Sequence, residues 1–373
     1  MKRKTKLSVL LLLFVISLFI VACGNNDDGN NNKTDENKNS QTIQQDNESD
    51  SSSESESEDE TESVKEAINV NLLTGIADLT DEAIGKRPVA VMVNNVAPAL
   101  PQYGVAQADI IFEILVEGDQ TRFMALYGDY TQVPKVCSVR SCRKYFPAIS
   151  EGFDAIYIHW GGVDEVLAYA DSLGTVRYNG IYNDGKLFAR DQDRRNAGYA
   201  LEHTGYFDGT KLADVLVKDN VRLDIEADKS TTAFAFHPVG ETITPTGDAC
   251  TSATINFGGA KATFTYDAST NTYLKQHNGK AQIDGVTNTQ LSFTNVFVLE
   301  ANVSMDTNGV HKLIDWTGGT GYYISNGATQ KITWSKTNEQ SPIILFDENG
   351  NKLSINRGKS YFAINYSGRT TIE

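Results

Sequence analysis

Pro88-Val89-Ala90-Val91-Met92-Val93-Asn94 and Asp109-Ile110-Ile111-Phe112-Glu113-Ile114-Leu115-Val116 decide the fold of this chain. Each is a nearly unbroken apolar run of strand length, the pattern of strands covered on both faces. The stretch from Arg122 to Tyr127 repeats it, and so does Asp154-Ala155-Ile156-Tyr157-Ile158-His159-Trp160. Between and after these runs lie helical patterns near 143–151, 164–172 and 210–218. Strands alternating with helices predict an α/β layered domain over 69–225. The loop 96–106 carries Pro98, Pro101 and Gly104, so it is irregular and exposed.

Downstream the texture changes. From about residue 231, Thr, Tyr, Val, Ile and Phe alternate with polar residues. Short strands are expected at 253–257, 262–266, 272–276, 291–301, 312–316, 321–325, 331–335, 342–346 and 360–366. Gly258-Gly259, Asn278-Gly279, Asn326-Gly327 and Asn349-Gly350 suit hairpin turns, because Gly and Asn tolerate positive φ. Helical periodicity is scarce. The reading is an α+β multidomain protein, with a β-rich domain (barrel or sandwich) over 226–373.

Upstream, Lys2 to Lys6 are basic and Leu7 to Ala22 are apolar apart from Ser8 and Ser17, ending in Ala22-Cys23-Gly24. Sixteen residues at about 1.5 Å each reach roughly 24 Å, short of a ~30 Å hydrocarbon core. The pattern predicts a lipoprotein signal peptide over 1–22, with the mature chain starting at a lipid-bearing Cys23. Its acyl chains are expected to hold it at the membrane, at about 0.8 kcal/mol per buried CH₂. Residues 24–66 hold 14 acids against 3 bases and little that is apolar, so 23–68 reads as a disordered acidic linker.

The whole chain has 373 residues and a formal net charge of −15. No basic surface of the nucleic-acid-binding kind is indicated, and no polybasic membrane-docking face. Beyond Cys23 there are three cysteines: Cys137, Cys142 and Cys250. They read as free thiols or as a disulfide, first of all Cys137–Cys142, with thiol catalysis or metal binding as a lesser option. The five histidines are scattered singly, so no metal site is expected, and no cofactor fingerprint is present.

Candidate site residues follow from position. Glu113 and Glu117 alternate onto one side of a strand and its end, where two carboxylates could act as acid and base. The plainer reading pairs them with Arg122 or Arg140. Arg140 and Arg143 flank Ser141-Cys142 before a helix, where guanidinium groups grip carboxylate or phosphate. His159-Trp160-Gly161-Gly162 ends a buried strand just before a helix, a place where α/β sheets put ligands. A satisfied histidine in a tight turn is the alternative. His203 is a weaker candidate.

Arg87-Pro88-Val89-Ala90-Val91-Met92-Val93-Asn94-Asn95, Pro101-Gln102-Tyr103-Gly104, Glu113-Ile114-Leu115-Val116-Glu117-Gly118, Thr121-Arg122-Phe123, Val139-Arg140-Ser141 and His159-Trp160-Gly161-Gly162 occur in this order. The series resembles the YerB-like family of bacterial lipoproteins, over roughly 73–373. Tyr266-Asp267, Asn278-Gly279 and Ile332-Thr333-Trp334 are similar to the family's second, β-rich domain. The resemblance implies a fold and an address on the outer face of a bacterial cell membrane, of the Gram-positive kind, but no reaction. Its motif positions here are Asn94, Gln102, Glu117, Arg122, Arg140, Arg143, His159, Gly161, Gly162 and, more loosely, His203. The chain departs from the pattern at Cys137 and Cys142, where small residues are usual. It also has Asn95 where His is common and Asp119 where Gly is usual.

Three functional readings stand. The first is a membrane-tethered protein that binds a wall component or an envelope protein without chemistry. The second is an enzyme that cleaves wall glycan with Glu117 or Glu113 as acid/base. The third is capture of a small anion at the His159–Gly162 turn.

Overall fold

The computed structural model describes residues 67–229 and 234–373. The expected signal peptide, the lipidation site Cys23 and nearly all of the expected linker lie outside the described residues. Among the described residues no helix is long and apolar enough to cross a membrane.

The N-terminal part mixes strands and helices. Its strands are β1 (Val89–Asn94), β2 (Ile110–Leu115), β3 (Thr121–Tyr127), β4 (Lys135–Cys137), β5 (Ile156–His159), β6 (Arg177–Asn179), β7 (Phe188–Arg190) and β8 (Gly205–Asp208). Its helices are α1 (Tyr145–Glu151), α2 (Asp164–Ser172), α3 (Gln192–Asn196) and α4 (Leu212–Lys218). The C-terminal part is mostly strand: β9 (Ala235–Phe236), β10 (Ser252–Asn256), β11 (Lys261–Asp267), β12 (Thr272–His277), β13 (Lys280–Ala281), β14 (Ser292–Phe293), β15 (Asn295–Glu300) and β16 (Val303–Met305). It continues with β17 (Lys312–Ile314), β18 (Gly318–Ser325), β19 (Ala328–Ser335), β20 (Ile344–Phe346), β21 (Ser354–Ile355), β22 (Ser360–Asn365) and β23 (Thr370–Ile372). The architecture is two-part, helices and strands first and then strands, as the change of texture implies.

The two parts share their main sheet. Its ten strands run β20-β19-β18-β15-β22-β2-β3-β1-β5-β6. The seam is β22, which pairs in parallel with β2 (Ile110↔Ser360 to Ile114↔Ile364) and with β15 (Asn295↔Ser360 to Glu300↔Asn365). Every residue of β1, β2, β3 and β22 is buried, so both faces of the sheet centre are covered. That is why these stretches read as continuous apolar runs. On one face Phe362 stacks between Phe112 and Phe297, with ring centroids 4.8 and 4.5 Å away. On the other, Tyr361 meets Phe264 and Phe293 from a second sheet, ordered β13-β12-β11-β10-β23 with β14 on β12. The tight turns behave as their residues dictate: Asn278 and Gly279 have φ of 51° and 75°, Asn326 and Gly327 of 45° and 74°.

One buried cation has a consequence for pH. Lys336 is 1% exposed; its Nζ donates to the Glu339 carbonyl at 2.8 Å and to that of Ser341, and lies 5.4 Å from the Trp316 ring centre. Burial, and then the charge of Lys229, pull its pKa down to about 7. In the unfolded chain a lysine keeps its proton to about pH 10.4. Between those values the unfolded state binds one more proton, so stability increases as pH rises. The expected result is that the denaturation midpoint climbs between pH 7 and 8, below the pH at which the unfolded chain's thiols ionise, and that Lys336→Met flattens the climb. Parallel curves for the two proteins would refute the assignment.

Candidate functional site

Strands β1, β2, β5, β6, β15 and β22 run the same way and end on one edge, at Asn94, Leu115, His159, Asn179, Glu300 and Asn365. Ligands of α/β sheets bind at carboxyl edges of this kind. The segment 137–144 is laid across the edge by backbone hydrogen bonds. Val139 bridges to Val93, Arg140 N–H donates to Met92 O at 3.0 Å, and Trp160 and Cys142 N–H groups donate to Arg140 O and Gly161 O, each at 2.9 Å. This pins Arg140 and Arg143 on the edge. Arg122 is the second residue of β3, opposite both Asn94 and Ile114.

Two of the three guanidinium groups meet one half-buried carboxylate, that of Glu117. Arg143 donates bidentately to Glu117, Nε to Oε2 at 2.9 Å and Nη2 to Oε1 at 2.8 Å. Arg122 Nη2 donates to the same Oε1, and its Nη1 donates to Ser141 O at 2.7 Å. Burial alone raises the Glu117 pKa, but Arg122 and Arg143 more than cancel it and the net shift is downward. Arg122 is pulled down to about 10, first by burial and then by the neighbouring Arg143. Among the described residues the Arg140 side chain pairs with Glu202 alone, at 3.2 Å, and that carboxylate is 56% exposed. The Nε of Arg140 is buried and has no acceptor among the described residues. The edge therefore carries more positive charge than its two carboxylates neutralise. In a protein of net charge −15 this is a local inversion.

The other candidates have structural employment. Glu113 is fully buried beneath the sheet. Its Oε1 accepts from Asn95 Nδ2 and Thr121 Oγ1, both at 2.8 Å, and its Oε2 from Tyr361 at 2.7 Å. Lys275 stands 3.2 Å from Oε2, with neither side chain exposed. Glu113 and Glu117 thus do not form an open pair of carboxylates, and the expectation of a two-carboxylate acid/base site is corrected. One is sealed by a lysine and the other is clamped by arginines. Gln102 bonds to Asn94 O and Asn95 Oδ1, both at 3.0 Å, and accepts from Gln282 at 3.1 Å. Asn94 bonds to His203 Nδ1 at 3.0 Å.

His159 is also consumed. Its Nδ1 bonds to Gly161 O at 2.9 Å, and Arg177 approaches Nε2 at 3.3 Å. A donated Nδ1–H leaves Nε2 to accept, which fits the neutral ring; burial drives its pKa down to about 4. Gly161 N–H is taken by Asn179 Oδ1 at 2.8 Å. Gly161 has φ +78°, and a Cβ on Gly162 would come within 2.8 Å of Leu167. The glycines make the turn and admit helix α2. The anion pocket expected at this turn is therefore corrected to a tight turn with a satisfied histidine.

The Cys137–Cys142 disulfide is corrected as well: Cys137, Cys142 and Cys250 are all free and buried. Cys137 Sγ points to the His203 carbonyl at 3.9 Å and Cys142 Sγ to that of Arg143 at 3.7 Å, so the thiols face different neighbours. Burial pushes their pKa values up to about 12 and about 11, which removes the thiolate a nucleophile needs. Among the described residues no group of three or more His, Cys, Asp and Glu is placed to hold a metal.

Sequence reasoning missed Lys275 and Gln282. The alternation of β12 carried the signal: Tyr273, Lys275 and His277 share its buried face, so a lysine points into the core. It missed Arg190 too, whose guanidinium lies 4.2 Å from the Trp160 ring centre.

Residues 73–222 match the N-terminal domain of a protein family of unknown function, DUF3048, and 253–362 match its C-terminal domain. "Putative lipoprotein YerB" of Bacillus subtilis (strain 168) is 29% identical over 286 residues, which is 75% of this chain and 81% of that protein. The crystal structure of the YerB protein from Bacillus subtilis superposes with a TM-score of 0.70 at 27% identity, covering 81% of this chain and 98% of that one. The chain belongs to the DUF3048 family, of which it carries both domains.

Proposed function

We propose that this protein is a lipid-anchored binding protein of the cell envelope. Cys23 carries the anchor, and the carboxyl edge of the sheet takes a carboxylate- or phosphate-bearing wall component or envelope partner. The observation that carries this reading is Arg140: it is partly exposed and paired with the exposed Glu202, beside an Arg122–Arg143 pair that shares the single carboxylate of Glu117. The Arg140 side chain is 23% exposed and its partner carboxylate, Glu202, 56% exposed, so an incoming anion can take that carboxylate's place, and charge-assisted bonds to guanidinium are among the stronger ones. Glycan cleavage is the weaker reading. A carboxyl held ionised by two arginines is a poor proton donor, and Glu113 is out of reach of any substrate.

Two measurements test it. Purified wall fragments should bind saturably and less tightly as salt rises, with no fragments released. Arg140→Ala should weaken binding by roughly 10- to 100-fold, the loss of one charged hydrogen-bonding group. Equal binding by that variant removes the site from consideration, and released muropeptides would revive the enzyme. Separately, Cys23→Ser should shift the protein from the membrane fraction to the soluble one.

A further inference from the structure

A cavity of ≈ 300 Å³ lies away from the carboxyl edge, where the described chain begins. Its walls include Val70, Leu73, Leu79, Ala83, Phe153 and Ile225. That volume is at the lower end of the range of about 300–1,000 Å³ that small-molecule sites occupy. The polar side chains on the walls are already engaged. Asn71 Oδ1 accepts from Leu73 N–H at 3.0 Å, and Lys229 Nζ donates to the carbonyls of Glu151, at 3.2 Å, and Gln340. A guest inside would be held by desolvation of hydrocarbon, not by hydrogen bonds.

The mouth differs from the interior. Ile68 and Leu72 line the cavity and are 85% and 38% exposed, so apolar surface leads from solvent into it. Lys86 stands on the same wall, 31% exposed, with Asp224 as its partner at 2.5 Å; that carboxylate is 81% exposed, so a head group at Lys86 would compete with a solvated partner. An apolar chamber with an ammonium at its lip fits a molecule with a hydrocarbon tail and an anionic head.

We propose that this cavity binds the alkyl chain of a single-chain anionic amphiphile, with its head beside Lys86. The chemistry is shared by a free fatty acid and a lysophospholipid. The site is independent of the arginine edge and of any anchor on Cys23.

The test uses the chain from residue 62 onward, which is one compact unit with its own core. Laurate, a lysophosphatidylglycerol and uncharged dodecanol are titrated by calorimetry below their aggregation concentrations. Laurate should bind one-to-one; similar binding of the lysophospholipid would point to a membrane lipid as the source, and its failure to bind would point to free fatty acid. Ala83→Phe fills the chamber and should weaken all binding at least ~10-fold. Lys86→Glu lies outside the core and serves even if Ala83→Phe does not fold. It should weaken laurate about 3- to 10-fold and leave dodecanol unchanged. Absence of saturable laurate binding overturns the proposal, and so does a folded Ala83→Phe that binds as well as the parent. An equal response of laurate and dodecanol to Lys86→Glu overturns the placement of the head.

Discussion

Residues 67–229 produced without the rest of the chain will not form a soluble, folded domain, and a chain ending at Gly358 will fail in the same way. Both lack β22. In the intact protein β2 is hydrogen-bonded to β3 on one side and to β22 on the other, and none of its six residues reaches solvent. Removing β22 turns Ile110–Leu115 into an unpaired apolar edge, a template for aggregation. It also strips Phe112 and Phe297 of the ring stacked between them, and Glu113 of the Tyr361 hydroxyl. In the 359–373 deletion β15 loses its parallel partner at the same time, so the main sheet is cut in two. Loss of one core phenylalanine costs about 3–5 kcal/mol, a large part of the ~5–15 kcal/mol that holds a protein folded. A monomeric 67–229 fragment with a cooperative thermal transition and dispersed amide resonances would contradict this account of the seam.

That seam was the part of the fold least visible in the sequence. The strands themselves were legible: Val89–Asn94 and Ile110–Leu115 fall inside runs whose apolar continuity exceeds what a one-sided strand needs, and Ser360–Asn365 falls inside the strand expected at 360–366. The strand expected at 360–366 belongs to the alternating, β-rich texture, whereas the structure buries it on both faces. That texture could not say that the covering neighbours are β2, some 250 residues earlier, and β15, because pairing partners leave no trace in the period of a single segment. The three-residue strands β4, β6 and β7 are too short to show any period, and they escaped for that reason.

The site divides along similar lines. The sequence offered Arg122 or Arg140 as partners for Glu113 or Glu117; the structure gives Glu117 to Arg122 and Arg143 and sends Arg140 to Glu202, because the crossing segment 137–144 sets which guanidinium faces which carboxylate. The histidine and the two glycines of 159–162 misled because the same residues serve a ligand turn and a tight packing turn. Only Asn179, from a neighbouring strand, decides between them by occupying Gly161 N–H. Glu113 misled for a related reason. A carboxylate in an apolar strand signals either chemistry or a buried partner, and the partner, Lys275, lies on another sheet.

The Glu113–Lys275 pair separates these two roles by experiment. Lys275→Met should destabilise the protein by about 3–5 kcal/mol, because it leaves a carboxylate buried without its counter-charge. Lys275 also donates to Gln282 Oε1 at 2.7 Å and sits 5.4, 5.8 and 5.5 Å from the rings of Phe123, Phe264 and Tyr361, so the same substitution orphans an amide oxygen. Glu113→Leu should cost a similar amount. It strands the Lys275 ammonium and the donors of Asn95, Thr121 and Tyr361. The double variant should be less destabilised than the sum of the two by roughly 1–3 kcal/mol, the range expected for groups in one network. It will not return to the parent's stability, since those three donors still lack their acceptor. Tyr361→Phe removes one hydrogen bond to the carboxylate and should cost only about 1.5–3 kcal/mol. A catalytic Glu113 makes the opposite demand: near-isosteric Glu113→Gln would then abolish a reaction while leaving the denaturation midpoint in place. With both side chains at zero exposure, the midpoint should fall and no reaction should be lost.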